Sequence, residues 1–228
     1  MNITVPLAAS SPTTVSHARF LVVLDADSTL IHDEVIELLA EHAGSLDAVA
    51  EITSRAMHGE LDFAESLRAR VRTLAGLPES VFAAVGERIK VTDGAPELIE
   101  AVHAAGGAVG VVSGGFLEVL DPLGEALGLD FWRANRLEVN GGVLTGRVSG
   151  AIVDAEAKAN ALRAWSQELG IPRGRWIAVG DGANDLQMMA AAALSVAFNA
   201  KPAVRRAADI VIDTQDLSQL LPLLGLRG

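Results

Sequence analysis

The ten residues Phe20-Leu21-Val22-Val23-Leu24-Asp25-Ala26-Asp27-Ser28-Thr29 decide the architecture. Residues 20–24 form an unbroken apolar run, and a carboxylate ends it. A run without polar alternation reads as a strand buried on both faces, as in a parallel sheet. The same shape recurs downstream. Residues 109–112 lead into Ser113-Gly114-Gly115, residues 176–179 lead into Gly180-Asp181-Gly182, and further runs cover 194–198 and 209–212. Helical patterns at 97–105, 116–127, 156–169, 185–193 and 203–207 separate or follow them. This alternation predicts an α/β fold, a doubly wound parallel, Rossmann-like sheet with helices on both faces.

Two regions depart from that rhythm. Residues 35–89 hold no convincing strand, and their helical patterns cover 34–42, 47–57, 63–74 and 79–88. They read as a small helical cap inserted after the first strand, leaving 18–34 and 90–228 as the catalytic core. Residues 137–139 and 143–145 flank Asn140-Gly141, a pair that favours the positive φ angles of a tight hairpin turn. A β-hairpin is therefore expected beside the sheet. Residues 1–17 are rich in Ser, Thr and Pro and lack the basic start of a signal peptide; they read as a flexible N-terminal arm.

Composition narrows the function. The chain has 228 residues, half of them hydrophobic, so a sizeable core is available. Its formal net charge is −11. That disfavours nucleic acid and anionic membrane as partners, since both call for basic surface. No apolar run is long enough to span a membrane. Cysteine is absent, which removes disulfides, thiolate nucleophiles and thiolate metal ligands, and fits a cytoplasmic protein. The chain is expected to be a monomer or a homodimer.

The polar residues gather where strands end, which is where open α/β sheets bind ligands. Asp25 and Asp27, spaced i, i+2, can face the same way on extended chain. Two neighbouring carboxylates either attract a cation or push one pKa up, which suits one nucleophile and one proton donor. The same pentapeptide also suits a turn that caps a helix. Ser113-Gly114-Gly115 allows close approach of an anion to backbone N–H groups, or is an ordinary βα turn. Lys158 falls in the first turn of a helix, where the macrodipole disfavours a cation, so a bound phosphate would give it a reason. In Gly180-Asp181-Gly182-Ala183-Asn184-Asp185, two carboxylates suit a hard, oxygen-seeking cation, or an Asx turn.

The ordered set of these motifs resembles the haloacid-dehalogenase-like superfamily of phosphotransferases. Asp25-Ala26-Asp27-Ser28-Thr29 matches its first motif, Ser113 its second, Lys158 its third and residues 180–185 its fourth. Residues 25–34 (DADSTLIHDE), 113–116 (SGGF), 134–137 (ANRL) and 179–185 (VGDGAND) are most similar to its phosphoserine phosphatases. The likeness runs from about Arg19 to the C-terminus. It implies that Asp25 attacks phosphorus, and that Asp27 protonates the leaving oxygen and then activates water. It implies Mg²⁺ held by the Asp25 carboxylate, the Asp27 carbonyl and Asp181, with Asp185 nearby as a supporting group. Ser113, the Gly114 backbone and Lys158 would hold phosphoryl oxygens, and Asn184 would contact substrate or water. In the cap, Glu34 would pair with a substrate ammonium and Arg70 with its carboxylate, while Met57 and Phe63 would line or close the pocket. L-phosphoserine is then the substrate, and the reaction is the last step of serine biosynthesis. Ala159 stands where the resemblance leads one to expect glycine. In a chain of this length no amino-acid-binding regulatory domain is expected. Another small phosphate, such as phosphohomoserine or phosphothreonine, remains an alternative substrate, and a non-enzymatic binding module an alternative role.

Overall fold

The computed structural model describes residues 18–226, so the arm expected at 1–17 lies outside the described residues. The central strand is β1 (Leu21–Leu24). Four helices follow it: α1 (Val35–Ala43), α2 (Leu46–Met57), α3 (Phe63–Arg72) and α4 (Val81–Gly86). The chain then runs through α5 (Ala95–Ala104), β2 (Ala108–Phe116), α6 (Leu117–Leu127), β3 (Phe131–Asn140), β4 (Val143–Ser149) and α7 (Ala155–Glu168). It ends with β5 (Trp176–Gly180), α8 (Leu186–Ala191), β6 (Leu194–Phe198), α9 (Pro202–Ala207), β7 (Ile210–Ile212) and α10 (Leu220–Leu223).

The seven strands form one sheet in the order β4-β3-β2-β1-β5-β6-β7. All neighbours are parallel except β3 and β4. The strand after β1 adds on one side of it and β5 adds on the other, so the order reverses at β1. Such a reversal opens a crevice at the carboxyl ends of the strands. Leu24 stands level with Val111 of β2 and with Val179 of β5. The residues just beyond, Asp25, Ser113 and Asp181, therefore come out together.

The two-sided burial read from the apolar run has a direct counterpart. Val22 and Leu24 enter a core shared with Leu98, Val102, Val119 and Leu120 of α5 and α6. Leu21 and Val23 enter a second core with Leu162 and Trp165 of α7 and Met188 of α8. Period-two side-chain alternation sends neighbours on one strand into opposite layers.

Two expectations are corrected. β2 does not stop at Val112: extended backbone continues through Ser113-Gly114-Gly115 to Phe116, with a register shift against β3 between Val112 and Phe116. The three residues thus form an irregular strand end, and α6 begins only at Leu117. The hairpin is longer than the Asn140-Gly141 signal suggested and is not separate from the sheet. The first half of β3 pairs with β2 as a sixth parallel strand, and the second half pairs with β4. The hairpin also touches the four-helix segment. Leu144 N–H donates to Leu77 O (2.8 Å), Gly76 N–H to Leu144 O (2.9 Å) and Glu79 N–H to Gly142 O (2.8 Å).

The layer that carries Lys158 comes unusually close to the sheet. Trp165 of α7 stacks on Phe131, with ring centroids 5.4 Å apart. It can do so because β2 has glycine beneath it: a Cβ on Gly110 would lie 2.8 Å from the indole. Gly110→Ala should force α7 outward. Overpacking of this kind costs about 1–3 kcal/mol, so the melting temperature should fall by roughly 5 °C in a domain of this size. Scanning calorimetry of the two proteins measures it, and an unchanged midpoint would show that α7 is not seated on Gly110.

Candidate active site

Asp25 is the residue after β1, and its N–H continues the strand ladder by donating to Val179 O (3.0 Å). Beyond it the chain makes a five-residue turn, closed by Ile31 N–H donating to Ala26 O (3.0 Å). Within the turn Asp27 stays extended and Ser28 takes a left-handed φ of 57°. Asp25 Oδ1 accepts from Ala26 N–H and is 2.7 Å from Lys158 Nζ. The pentapeptide is therefore not the cap of the next helix, because α1 starts after Glu34 and has no side-chain cap.

Lys158 enters from α7. Asp154 caps that helix by accepting from Ala157 N–H (2.9 Å). The lysine is fully buried and stands 2.7 Å from both Asp25 Oδ1 and Asp185 Oδ1. Its place near a helix N-terminus thus has a reason in two carboxylates. Burial alone would pull its pKa down, but Asp185 and Asp25 outweigh that and hold it charged. Asp185 is occupied at both oxygens, since Oδ2 accepts from Gly182 N–H (3.0 Å). That fits a supporting residue. Asp181 is buried too, with Lys201 Nζ 3.8 Å from its Oδ2.

One oxygen each of Asp25, Asp181 and Asp185 lies within 4.8 Å of the others. Three buried carboxylates share one buried ammonium, an imbalance that protonation or a cation must answer. Burial first, then Asp185, push Asp25 up, against the opposing pull of Lys158. Burial and Asp185 raise Asp181 to about 6. Asp27 is raised further, to about 8, by burial and then by Glu34, and its Oδ1 is buried without a partner. Hard oxygen ligands around a charge deficit fit Mg²⁺.

Ser113 and the glycines after it face this cluster. Ser113 Oγ accepts from Gly115 N–H (2.8 Å), which leaves its own proton free to donate elsewhere. Gly115 has to lack a side chain, since a Cβ there would lie 2.9 Å from Asp27 Oδ2. Phe63, the first residue of α3, covers Gly114, its ring 2.8 Å from where a Cβ would stand, and the Asn184 amide comes near the same point. Glu34 accepts from Ser28 Oγ (2.9 Å). Arg70 is half-buried; desolvation lowers its pKa, against Glu34, Asp27 and Glu37. Met57 is not gathered in. It ends α2 with its side chain 74% exposed, because that helix buries only Val49.

Asn135, within the ANRL stretch, is a further residue of the site. Its side chain is 1% exposed and ties three pieces together. Nδ2 donates to Gly114 O (2.8 Å) and Gly115 O (3.3 Å), while Oδ1 accepts from Val153 N–H (2.8 Å) just before α7. It thereby fixes the glycine carbonyls relative to the helix of Lys158. A polar amide inside a sheet strand is the signal that points to it.

A family model described as haloacid dehalogenase-like hydrolase matches residues 22–190. A phosphoserine phosphatase of Streptomyces coelicolor is 55% identical over 209 residues, covering 92% of this chain and 51% of that protein. The chain thus spans about half the length of that relative, and likewise half of one from Mycobacterium tuberculosis. The phosphoserine phosphatase of Streptococcus thermophilus is 48% identical over 214 residues, covering 94% of this chain and 100% of that protein. A solved structure of a substrate-bound phosphoserine phosphatase complex superposes with a TM-score of 0.85 at 41% identity, over 90% of this chain and 98% of that one. Another, a phospho-aspartyl intermediate analogue of phosphoserine phosphatase, also gives 0.85, at 42% identity over 90% and 99%. No helix among the described residues is long and apolar enough to cross a membrane.

The raised carboxylates make stability depend on pH. Asp27 at about 8 and Asp181 at about 6 keep protons that the unfolded chain releases near the ordinary Asp value. Between those limits the folded state binds more protons, so stability falls as pH rises. In EDTA the melting temperature should decline from about pH 5 to about pH 8. Saturating Mg²⁺ should lessen the decline, because a cation among Asp25, Asp181 and Asp185 would replace the proton on Asp181 as compensating charge. Calorimetry across pH with and without Mg²⁺ tests this; a midpoint in EDTA that rises with pH would contradict it.

Proposed function

This chain belongs to the haloacid dehalogenase-like hydrolases, and on that premise we propose that it hydrolyses L-phosphoserine to L-serine and phosphate through a phosphoaspartate on Asp25. The observation that carries the proposal is the buried Lys158 shared by Asp25 and Asp185, beside Asp181 and beneath the Ser113-Gly114-Gly115 strand end. A phosphoryl group brings negative charge to an already anionic nucleophile. Its transfer is mainly a matter of positioning and charge compensation. Mg²⁺, held by Asp25, Asp181 and the Asp27 carbonyl, would supply part of that compensation; Lys158 supplies the rest.

The chain's own groups account for the proton and bond changes. An Asp25 oxygen bonds to phosphorus as the bond from phosphorus to the seryl oxygen breaks. Asp27 is protonated at neutral pH because its pKa is raised to about 8, so it can give its proton to that departing oxygen. As a carboxylate it then takes a proton from the water that attacks phosphorus, and the bond to Asp25 breaks. Ser113 Oγ and backbone N–H groups of the strand end steady the phosphoryl oxygens, and Asn184 stands beside them. One carboxylate serving twice splits a hard hydrolysis into two easier steps.

Substrate identity rests on Glu34 and Arg70. Neither forms an ion pair among the described residues: Glu34 accepts from Ser28, and Arg70 Nε only approaches Ser66 O at 3.5 Å. A zwitterionic substrate offers the ammonium and carboxylate that both lack, with Arg suited to a bidentate clamp. Residues 35–89 act in this reading as a cap, with Phe63 over Gly114 as its contact with the reaction centre and Met57 on its outer rim.

Phosphate release from L-phosphoserine, phosphothreonine and p-nitrophenyl phosphate, with Mg²⁺ and with EDTA, tests the proposal. Phosphoserine should have the highest kcat/KM, and EDTA should abolish release. Asp25→Asn should lower kcat at least about 1,000-fold. Arg70→Ala should lower kcat/KM for phosphoserine about 30-fold or more, with much less effect on p-nitrophenyl phosphate. Undiminished turnover by Asp25→Asn would rule out the covalent route, and equal losses on both substrates in Arg70→Ala would rule out the clamp.

A further inference from the structure

Glu34 and Arg70 pose a physical problem when the pocket is empty. Opposite charges placed to grip the two ends of a zwitterion have every reason to grip each other. Arg70 is half-buried, and its guanidinium feels Glu34, Asp27 and Glu37. Yet it makes no ion pair with any described carboxylate, and among the described residues its side chain's one hydrogen bond is a long one, Nε donating to Ser66 O at 3.5 Å. Glu34 does not cap α1, although it stands at the position where a side chain could. Its carboxylate turns back to the loop after β1, where Ser28 Oγ donates to Oε1 at 2.9 Å.

Ser28 can reach it only because of its own backbone. It is one of two non-glycine residues with positive φ among the described residues, at 57°. That conformation is costly for a residue with a Cβ. Its N–H also approaches Asp33 O at 3.4 Å, which draws the loop and the start of α1 together. A neutral hydroxyl satisfies one oxygen of Glu34 without cancelling its charge.

We infer that Ser28 is a positioning residue for amino-acid specificity: its hydroxyl holds Glu34 away from Arg70, so that the empty pocket keeps two separate, opposite charges ready for a zwitterionic phosphomonoester. The inference rests on the phosphoserine reading above. Ser28 makes no described hydrogen bond to Lys158 or the three clustered carboxylates; because it follows Asp27 and because Glu34 helps raise Asp27, both substrates should lose some rate, with the larger loss on phosphoserine.

Ser28→Gly is the variant to make, since glycine accepts the positive φ and removes only the hydroxymethyl group. The ratio of kcat/KM for phosphoserine to that for p-nitrophenyl phosphate should fall about ten-fold, as for a lost hydrogen bond to a charged group. Most of that loss should appear in KM. Ser28→Asn tolerates the same backbone and offers an amide donor, so it should recover part of the ratio. A crystal structure of unliganded Ser28→Gly should show Glu34 paired with Arg70. An unchanged ratio, or equal losses on both substrates, would overturn the inference, as would Glu34 staying in place in the variant. If the unaltered protein hydrolyses p-nitrophenyl phosphate but not phosphoserine, the substrate reading fails instead. The crystal structure of Ser28→Gly then still decides whether Ser28 keeps the two charges apart.

Discussion

The structure turns on a single ammonium. Lys158 Nζ sits 2.7 Å from Asp25 and 2.7 Å from Asp185, with no solvent exposure. A lysine buried in this way is tolerable only when carboxylates surround it, and those carboxylates are tolerable only because of the lysine. Two of them sit on loops that end neighbouring strands β1 and β5, and the ammonium arrives from a helix lying across the sheet. The site therefore depends on the distance between α7 and the sheet. Gly110 under Trp165 sets that distance in the layer, the Asp154 cap fixes where α7 starts, and Asn135 ties its lead-in to the glycines of β2. Residues scattered along the sequence thus bear on where one charge stands.

The same imbalance explains why the fold does not neutralise its own site. Lys158 compensates one carboxylate, while Asp25, Asp181 and Asp185 crowd together and Asp27 keeps an oxygen with no partner. A fold selected for stability alone would have paired these groups or replaced them with apolar ones. What remains uncompensated supports the proposed reading: the carboxylates could hold a cation, and Ser113, whose hydroxyl proton is left free, could donate to an anion. Glu34 and Arg70 repeat that logic further out, with one charge of each sign.

Much of this was legible in the residues, and the gaps have physical causes. The apolar run of residues 20–24 read correctly because β1 is buried on both faces, where period-two alternation disappears and only hydrophobicity remains. The first half of β3 escaped notice because Arg133, Asn135 and Arg136 break any apolar run. That strand is half edge and half hairpin, and Asn135 is buried for its hydrogen bonds. The end of β2 is hidden in the sequence because Ser-Gly-Gly has the composition of a turn, whereas backbone pairing with β3 resumes at Phe116. Lys158 was found for its odd place near a helix N-terminus. Its partners, 27 and 133 residues away in sequence, could not be inferred from that oddity. Met57 lies at the exposed end of α2, and its position in the resemblance carries no information on how far its side chain stands from the carboxylates.

Asp25 and Asp27 show how far apart two identical side chains can be driven by their surroundings. They are separated by one alanine on the same loop. Asp25 keeps its place at the head of the strand and meets an ammonium. Asp27, after an extended step, meets the Gly115 backbone and the field of Glu34, and finds no donor for Oδ1. Burial pushes both carboxylates up; Asp25 alone has a bonded ammonium that pulls back against burial and Asp185, whereas for Asp27 the field of Glu34 adds to the rise. On the proposed reading, a nucleophile and an acid are thus made from one residue type by a single turn of chain, and Ser28, at the left-handed position of that turn, sends the loop on towards Glu34. Division of labour between paired carboxylates follows from environment. Here the environment is written in the backbone: a strand that must end, a glycine that must lack a side chain, and a serine held at positive φ.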